Sequence, residues 1–179
     1  MLDEMTYFKN HYRIRLVIIG GDGEKTPEYQ DLVRKTRNLG IIDKIMFAGR
    51  IEHRNLPTYY NSADVWVMSS YYESFGMVGL EALACGPPAV STPVGAADRL
   101  IRNGQAGHIV LDPSSQSLAQ GIQSIITNRT IPEPDLIRQS ILEYIWSNAA
   151  SSIIAECESV LGQKFFEDDH RVSAEASCG

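Results

Sequence analysis

Asp64-Val-Trp-Val-Met68 and, after two serines, Tyr71-Tyr-Glu-Ser-Phe-Gly-Met-Val-Gly-Leu-Glu-Ala-Leu-Ala-Cys-Gly86 decide how this chain is read. The first run is apolar and short enough for a buried strand. The second ends at Gly86, a helix stop followed by Pro87 and Pro88. Strand, short loop and helix therefore follow in order, with the helix expected over about 75–85. Around Glu81 stand Met77, Val78, Leu80, Ala82 and Ala84, apolar or small on every side, which predicts a buried helix. A carboxylate there is costly unless it is hydrogen-bonded, so Glu81 requires a partner that the local sequence does not supply.

Glu81 lies five residues past Gly76, about 7.5 Å along a helix axis, and its side chain leans back toward the N-terminus. Its carboxylate then reaches a ligand seated at the helix start. That start is an expected anion site, because the N–H groups of Phe75, Gly76, Met77 and Val78 and the positive end of the dipole point the same way. Gly76 lets a ligand approach the backbone closely. Glu73, just outside the helix, faces whatever the anion carries, although taken alone it also reads as an ordinary acidic partner of the dipole. The pattern suits a ligand with a central phosphate and hydroxyls on both sides.

The composition of the 179 residues, 44% hydrophobic and 21% charged, is that of a globular protein with a sizeable core, and one domain is expected over 1–162. A net charge of −6 and the lack of a basic cluster interleaved with aromatics argue against a nucleic-acid partner. Cys85, Cys157 and Cys178 have no zinc spacing, and an odd count fits reduced thiols in a cytoplasmic protein. His11, His53, His108 and His170 lack ligand spacing, so no metal site is expected. No apolar run approaches the length of a membrane span, and no signal-peptide pattern opens the sequence.

Working outward, a β-branched run over 15–19 leads into Gly20-Gly21-Asp22-Gly23, read as a tight βα turn because G-x-G-x-x-G spacing is absent. Thr26 as N-cap, Pro27 at the first position and Gly40 as stop bound a helix with Tyr29, Leu32, Val33 and Leu39 on its apolar face. Further strands are expected over 44–48, 88–92 and 107–111. A short helix capped by Asn55, a helical turn from Gly95 to Arg102, and a helix from Ser114 or Ser115 with Leu118, Ile122, Ile125 and Ile126 inward fill the intervals. Leu136, Ile137, Ile141, Tyr144 and Ile145 predict another amphipathic helix, and Ala149 to Leu161 a last one; 163–179 lacks periodicity and is expected to be disordered. The alternation predicts an α/β fold: a Rossmann-like parallel sheet, helices on both faces, ligands at the carboxyl ends of the strands.

Glu73-x7-Glu81, with Ser-Phe-Gly after the first acid and Glu-Ala-Leu-Ala-Cys-Gly from the second, resembles the donor-site signature of retaining glycosyltransferases of the two-Rossmann-domain (GT-B) type. That large family contains sucrose-phosphate synthase, bacterial sugar transferases and lipopolysaccharide or mannosyl transferases. The likeness runs from about Leu16 to Val160. It implies that Glu81 holds the ribose of a nucleotide-sugar and the N–H groups of Phe75 to Val78 its diphosphate or sugar. Glu73 then takes the sugar hydroxyls as the catalytic carboxylate, and Arg50 and Ile51 border the base. A UDP-sugar is favoured, and no metal or cofactor is implied. The family carries a basic Arg and Lys in a segment earlier than any that matches here, and an N-terminal acceptor domain before that. The resemblance thus implies that this is the C-terminal, donor-binding half of a larger enzyme, inactive by itself, with that N-terminal domain as its partner and peripheral membrane contact open to the whole. The chain departs from the family at Ser69, where Pro is common, and at Gly95-Ala96 and Arg99, where Gly-Gly and an acid are usual.

Two other readings share the alternating pattern. A regulatory α/β module does not require Glu81 on an apolar helix. A nicotinamide-dependent oxidoreductase is suggested by Gly20 to Gly23 but lacks the third glycine and the acid ending the next strand.

Overall fold

Three β-branched residues after Leu16 suit the pleated surface of a strand, and Leu16–Ile19 forms β1 in a computed structural model that describes residues 1–11, 13–101, 106–127 and 133–162. Arg102 and the tail over 163–179, expected to be disordered, lie outside the described residues. Past the glycine turn comes α1, Pro27–Leu39, bounded as the sequence predicts. Thr26 Oγ1 accepts the N–H of Tyr29 at 3.3 Å, and Gly40 ends the helix in a left-handed conformation. Its apolar face closes only in part: the Tyr29 ring meets Phe47 edge-on with centroids 5.2 Å apart, while Leu32 stays exposed.

β2 is Ile45–Gly49 and α2 is Leu56–Asn61. Asn55 stands at the cap position of α2 but makes no side-chain capping bond, because a 3-10 turn over His53–Asn55 already holds it in a right-handed helical conformation. β3 (Trp66–Met68) leads to α3 (Met77–Cys85), β4 (Ala89–Ser91) to α4 (Ala97–Leu100), and β5 (Gly107–Ile109) to α5 (Ser115–Thr127); α6 is Pro134–Ser140.

All pairings are parallel, but the ladders form two sheets rather than the one expected. β1 pairs with β2, and β4 lies between β3 and β5. Both sheets rest on one apolar layer. Met5 and Phe8 of the turn Glu4–Phe8, with Leu118, Ile122 and Ile125 of α5, gather Leu16 and Ile45 from the first sheet and Val65, Val67, Val90 and Val110 from the second. Alternation along β3 sends Trp66 to the opposite face, where it packs with Tyr60 of α2 and Ala82 and Cys85 of α3. Helices therefore cover both faces, as the sequence predicts.

The described residues fall into two compact units, the first Met1–Ile141 and the second beginning at Leu142. The apolar series from Leu136 to Ile145 is not one helix. Ile141 leaves helical geometry at φ −109° and ψ 5°, and a 3-10 turn, Leu142–Tyr144, follows. The second unit then carries α7, Trp146–Leu161, ended by Gly162.

Candidate functional site

α3 is held at both ends by glycines in left-handed conformation. Gly76, at φ 87° and ψ 49°, cannot belong to the helix, so the first turn opens at Met77, two residues later than the sequence suggests; Phe75 and Gly76 form the entry loop. The N–H of Gly79 closes the first turn on Gly76 O at 2.8 Å, and the N–H groups of Met77 and Val78 donate to nothing among the described residues. At the other end Arg138 Nη2 donates to Cys85 O at 2.7 Å, a cation on the negative end of the dipole.

The helix is not buried all round as expected. Gly79, Ala82, Leu83 and Cys85 face inward, whereas Met77 is 50% and Val78 52% exposed. Their turn follows the loop that leaves the carboxyl end of β3. The open N–H groups therefore sit beside an exposed apolar rim.

Glu81 is likewise only partly buried, its side chain 33% exposed, and its missing partners come from α2 and the loop before it. His53 Nε2 stands 3.1 Å from Glu81 Oε1. Tyr60, buried beneath, has its hydroxyl pushed up to about 12, first by burial and then by the nearby Glu81 carboxylate. The phenol therefore stays protonated beside the carboxylate at neutral pH. Arg50, exposed, and Ile51, half-buried, open the same loop at the carboxyl end of β2, so that segment and Glu81 share one edge of the fold. Sequence reading set His53 aside as a scattered histidine. The two residues are 28 apart, and no local pattern connects them.

Glu73 is half-buried and held in place from two sides. Ser70 Oγ donates to Glu73 Oε1 at 2.9 Å, and Ser70 is itself fixed by Thr92, whose Oγ1 donates to Ser70 O at 2.6 Å. From the segment after β4, the N–H of Ala96 donates to Phe75 O at 2.8 Å. Gly95 lies against the same loop at φ 56°, so close that a Cβ there would stand 2.5 Å from Phe75 O and 3.2 Å from Glu73 Cβ. Gly95→Ala is therefore expected to lower stability by about 1–3 kcal/mol and to displace the Glu73 loop; urea denaturation checks the first, and an unchanged midpoint would show that the loop yields freely.

Among the described residues no group of three His, Cys, Asp or Glu side chains gathers to hold a metal ion, and no helix is long and apolar enough to cross a membrane.

The family model described as glycosyl transferases group 1 matches residues 2–141. Among curated proteins, a D-inositol 3-phosphate glycosyltransferase of Mycobacterium leprae is 28% identical over 165 residues, covering 89% of this chain and 39% of the relative. The chain thus spans about two-fifths of the length of that relative. Among solved structures, sucrose-phosphate synthase from Thermosynechococcus elongatus superposes with a TM-score of 0.71 at 24% identity, covering 90% of this chain and 42% of that one. Anabaena HepE in complex with UDP gives a TM-score of 0.71 at 23% identity, with 89% and 44% covered. At these identities the two structures establish a shared fold.

Proposed function

Since the chain belongs to the group 1 glycosyl transferases, we propose that it is the donor-binding part of a retaining glycosyltransferase, moving a sugar from a nucleoside-diphosphate sugar to an acceptor held by another domain. The observation that carries this reading is the placement of Glu81. It is a carboxylate on an otherwise apolar helix, one turn behind the open N–H groups of Met77 and Val78 and beside the loop that leaves β2.

In this reading Glu81 accepts the ribose hydroxyls, with the Tyr60 donor and His53 fixing its direction. The diphosphate lies over Gly76, Met77 and Val78, where helix dipole and N–H groups favour negative charge. Phe75 shapes the loop beneath, Arg50 and Ile51 border the base, and Glu73, held by Ser70 on the far side, takes the sugar hydroxyls next to the reacting carbon. Transfer breaks the bond from the anomeric carbon to the diphosphate, whose oxygen keeps the electron pair. The acceptor oxygen takes the carbon, and its proton goes to the diphosphate. Fixed donors aimed at the departing charge are the main means by which such a site lowers the barrier. No metal or cofactor enters this scheme. A UDP-sugar is the donor of choice, in keeping with the UDP bound to Anabaena HepE. The remaining proposals are that 1–162 acts as the donor domain, that an N-terminal acceptor domain is its partner, and that the enzyme works in carbohydrate biosynthesis in the cytoplasm.

Saturation-transfer NMR of the chain with UDP, GDP, ADP and NAD, each at the same concentration, tests the reading. UDP is expected to give the strongest transfer, through its ribose and base protons. Transfer to NAD alone would mark a nicotinamide enzyme, and silence from all four would leave a non-catalytic α/β module.

A further inference from the structure

Resting on the donor reading above, we propose that Thr92 is a positioning residue for the donor sugar: through Ser70 it aims the Glu73 carboxylate, separately from the groups that aim Glu81. Recognition of the sugar is then set from the end of β4, and recognition of the nucleotide from the α2 side. The loop that carries Glu73 gives the first argument. Between Ser70 and Phe75 the side chains of Tyr71, Tyr72 and Ser74 are all exposed, the two rings by 91% and 83%. Burial therefore does not hold this stretch, and the direction of Glu73 depends on polar bonds and on the close approach of Gly95. A loose glutamate gives up rotamer freedom when a ligand fixes it. The bond from Ser70 Oγ to Glu73 Oε1 at 2.9 Å removes that freedom in advance and leaves Oε2 to accept a sugar hydroxyl.

Thr92 is fixed before it fixes Ser70. It is 2% exposed, its N–H donates to Met68 O at 3.0 Å as an extension of the β3–β4 ladder, and its carbonyl accepts from Ser91 Oγ at 2.7 Å. Its hydroxyl has one proton and two carbonyls in reach, Ser70 O at 2.6 Å and Met68 O at 3.4 Å, so the proton goes to Ser70. The peptide plane between Ser70 and Tyr71 is thereby tied to the sheet, and the Ser70 hydroxyl with it. Two hydroxyl bonds in series thus connect a wholly buried strand to a carboxylate at the surface of the site.

The nucleotide side is braced elsewhere. Past Glu73 the loop is held again where the N–H of Ala96 donates to Phe75 O at 2.8 Å, and the open N–H groups of Met77 and Val78 come after that brace. Glu81 meets His53 on the loop before α2, with no bond to Ser70 or Thr92. Slack introduced at Ser70 is therefore taken up between Ser70 and Phe75 and does not pass to the helix start or to Glu81. Thr92 touches neither part of the donor, yet it governs the part that Glu73 reads.

The test is calorimetric titration of the chain with UDP, UDP-glucose, UDP-galactose and UDP-N-acetylglucosamine, and then of Thr92→Val, Thr92→Ser, Ser70→Ala and the Ser70→Ala, Thr92→Val double variant with UDP and the tightest of the three sugars. Valine keeps the branched shape and lacks the hydroxyl, whereas serine keeps the hydroxyl. Thr92→Val is expected to weaken the UDP-sugar by roughly 3- to 10-fold, the loss of one hydrogen bond, and to leave UDP within about twofold. Thr92→Ser is expected to bind both as the unsubstituted chain does. Because the two bonds act in series, the double variant is expected to bind the sugar no more weakly than Ser70→Ala alone; that comparison, and Ser70→Ala itself at a half-exposed position, remain decisive if buried valine prevents folding. The proposal is overturned if Thr92→Val weakens UDP and UDP-sugar alike, which is a structural effect, or weakens neither. It is equally overturned if Thr92→Ser loses as much as Thr92→Val, if Ser70→Ala leaves the sugar unaffected, or if the two losses add in the double variant. Binding of UDP with no UDP-sugar distinguished from it would overturn it while leaving the nucleotide site standing, and no binding of UDP at all would remove the donor reading together with it.

Discussion

Alanine at Gly107 is expected to cost on the order of 4 kcal/mol or more, enough to unfold most of the chain, since domains of this size hold about 5–15 kcal/mol in all. Gly107 lies in β5 directly opposite Ala89 of β4, at φ 147°, a conformation that L side chains rarely adopt. A Cβ at this position would stand 1.9 Å from Ala89 O and 2.7 Å from the carbonyl carbon and nitrogen of the same residue. The obstacle is the backbone of the central strand of its sheet, so no side chain can swing aside. The strands must part instead, at the expense of the bonds from Ala89 N–H to Ala106 O at 2.9 Å and from Val110 N–H to Ser91 O at 2.8 Å. β4 is wholly buried, and Thr92, next after it, holds Ser70 and through Ser70 the Glu73 carboxylate. A loss of ladder there therefore disorders the candidate site as well. Gly162→Ala is the control, because Gly162 also has a positive φ, 64°, but nothing lies within 4 Å of the added carbon. Guanidinium melts of both variants decide it, and a near-native midpoint for Gly107→Ala would show that β5 is dispensable.

The elements legible in the sequence are those set by neighbours along the chain. Thr26, Pro27 and Gly40 bound α1 as read, because a cap, a fixed φ and a left-handed stop act over three or four residues. The alternation of strand and helix gave the layers for the same reason. Three things were not legible. Periodicity marks β1 and β3 as strands but is silent on which edges meet, so the division into two ladders does not show. Apolar residues on every side of α3 indicated a buried helix, yet its first turn leaves Met77 and Val78 at the surface. The partner of Glu81 comes from His53 and Tyr60, which chain folding rather than spacing brings to it. The candidate acids themselves, Glu73 and Glu81, were found by their spacing around a strand–loop–helix, and what the fold adds is the groups that aim them.

Glutamine at Glu81 tests that aim most directly. If the carboxylate holds a ribose through two charge-assisted hydrogen bonds, its neutral isostere is expected to lose roughly 1.5–3 kcal/mol of UDP affinity, about 10- to 150-fold in Kd. The fold is expected to survive. The side chain is 33% exposed, and the amide keeps an oxygen for His53. Tyr60→Phe separates aiming from binding. It leaves the charge of Glu81 in place and removes only the hydroxyl beneath it, so a smaller loss of UDP affinity than that of Glu81→Gln is expected, about 0.5–1.5 kcal/mol, because the nucleotide feels that hydroxyl only through Glu81. The effects differ because a ribose binds to the carboxylate itself and only indirectly to what orients it. Calorimetric titration of UDP into the chain and its two variants measures all three. Equal affinities for the chain and Glu81→Gln would remove Glu81 from the donor site, whereas a larger loss from Tyr60→Phe than from Glu81→Gln would place the nucleotide on the α2 side of the pair instead.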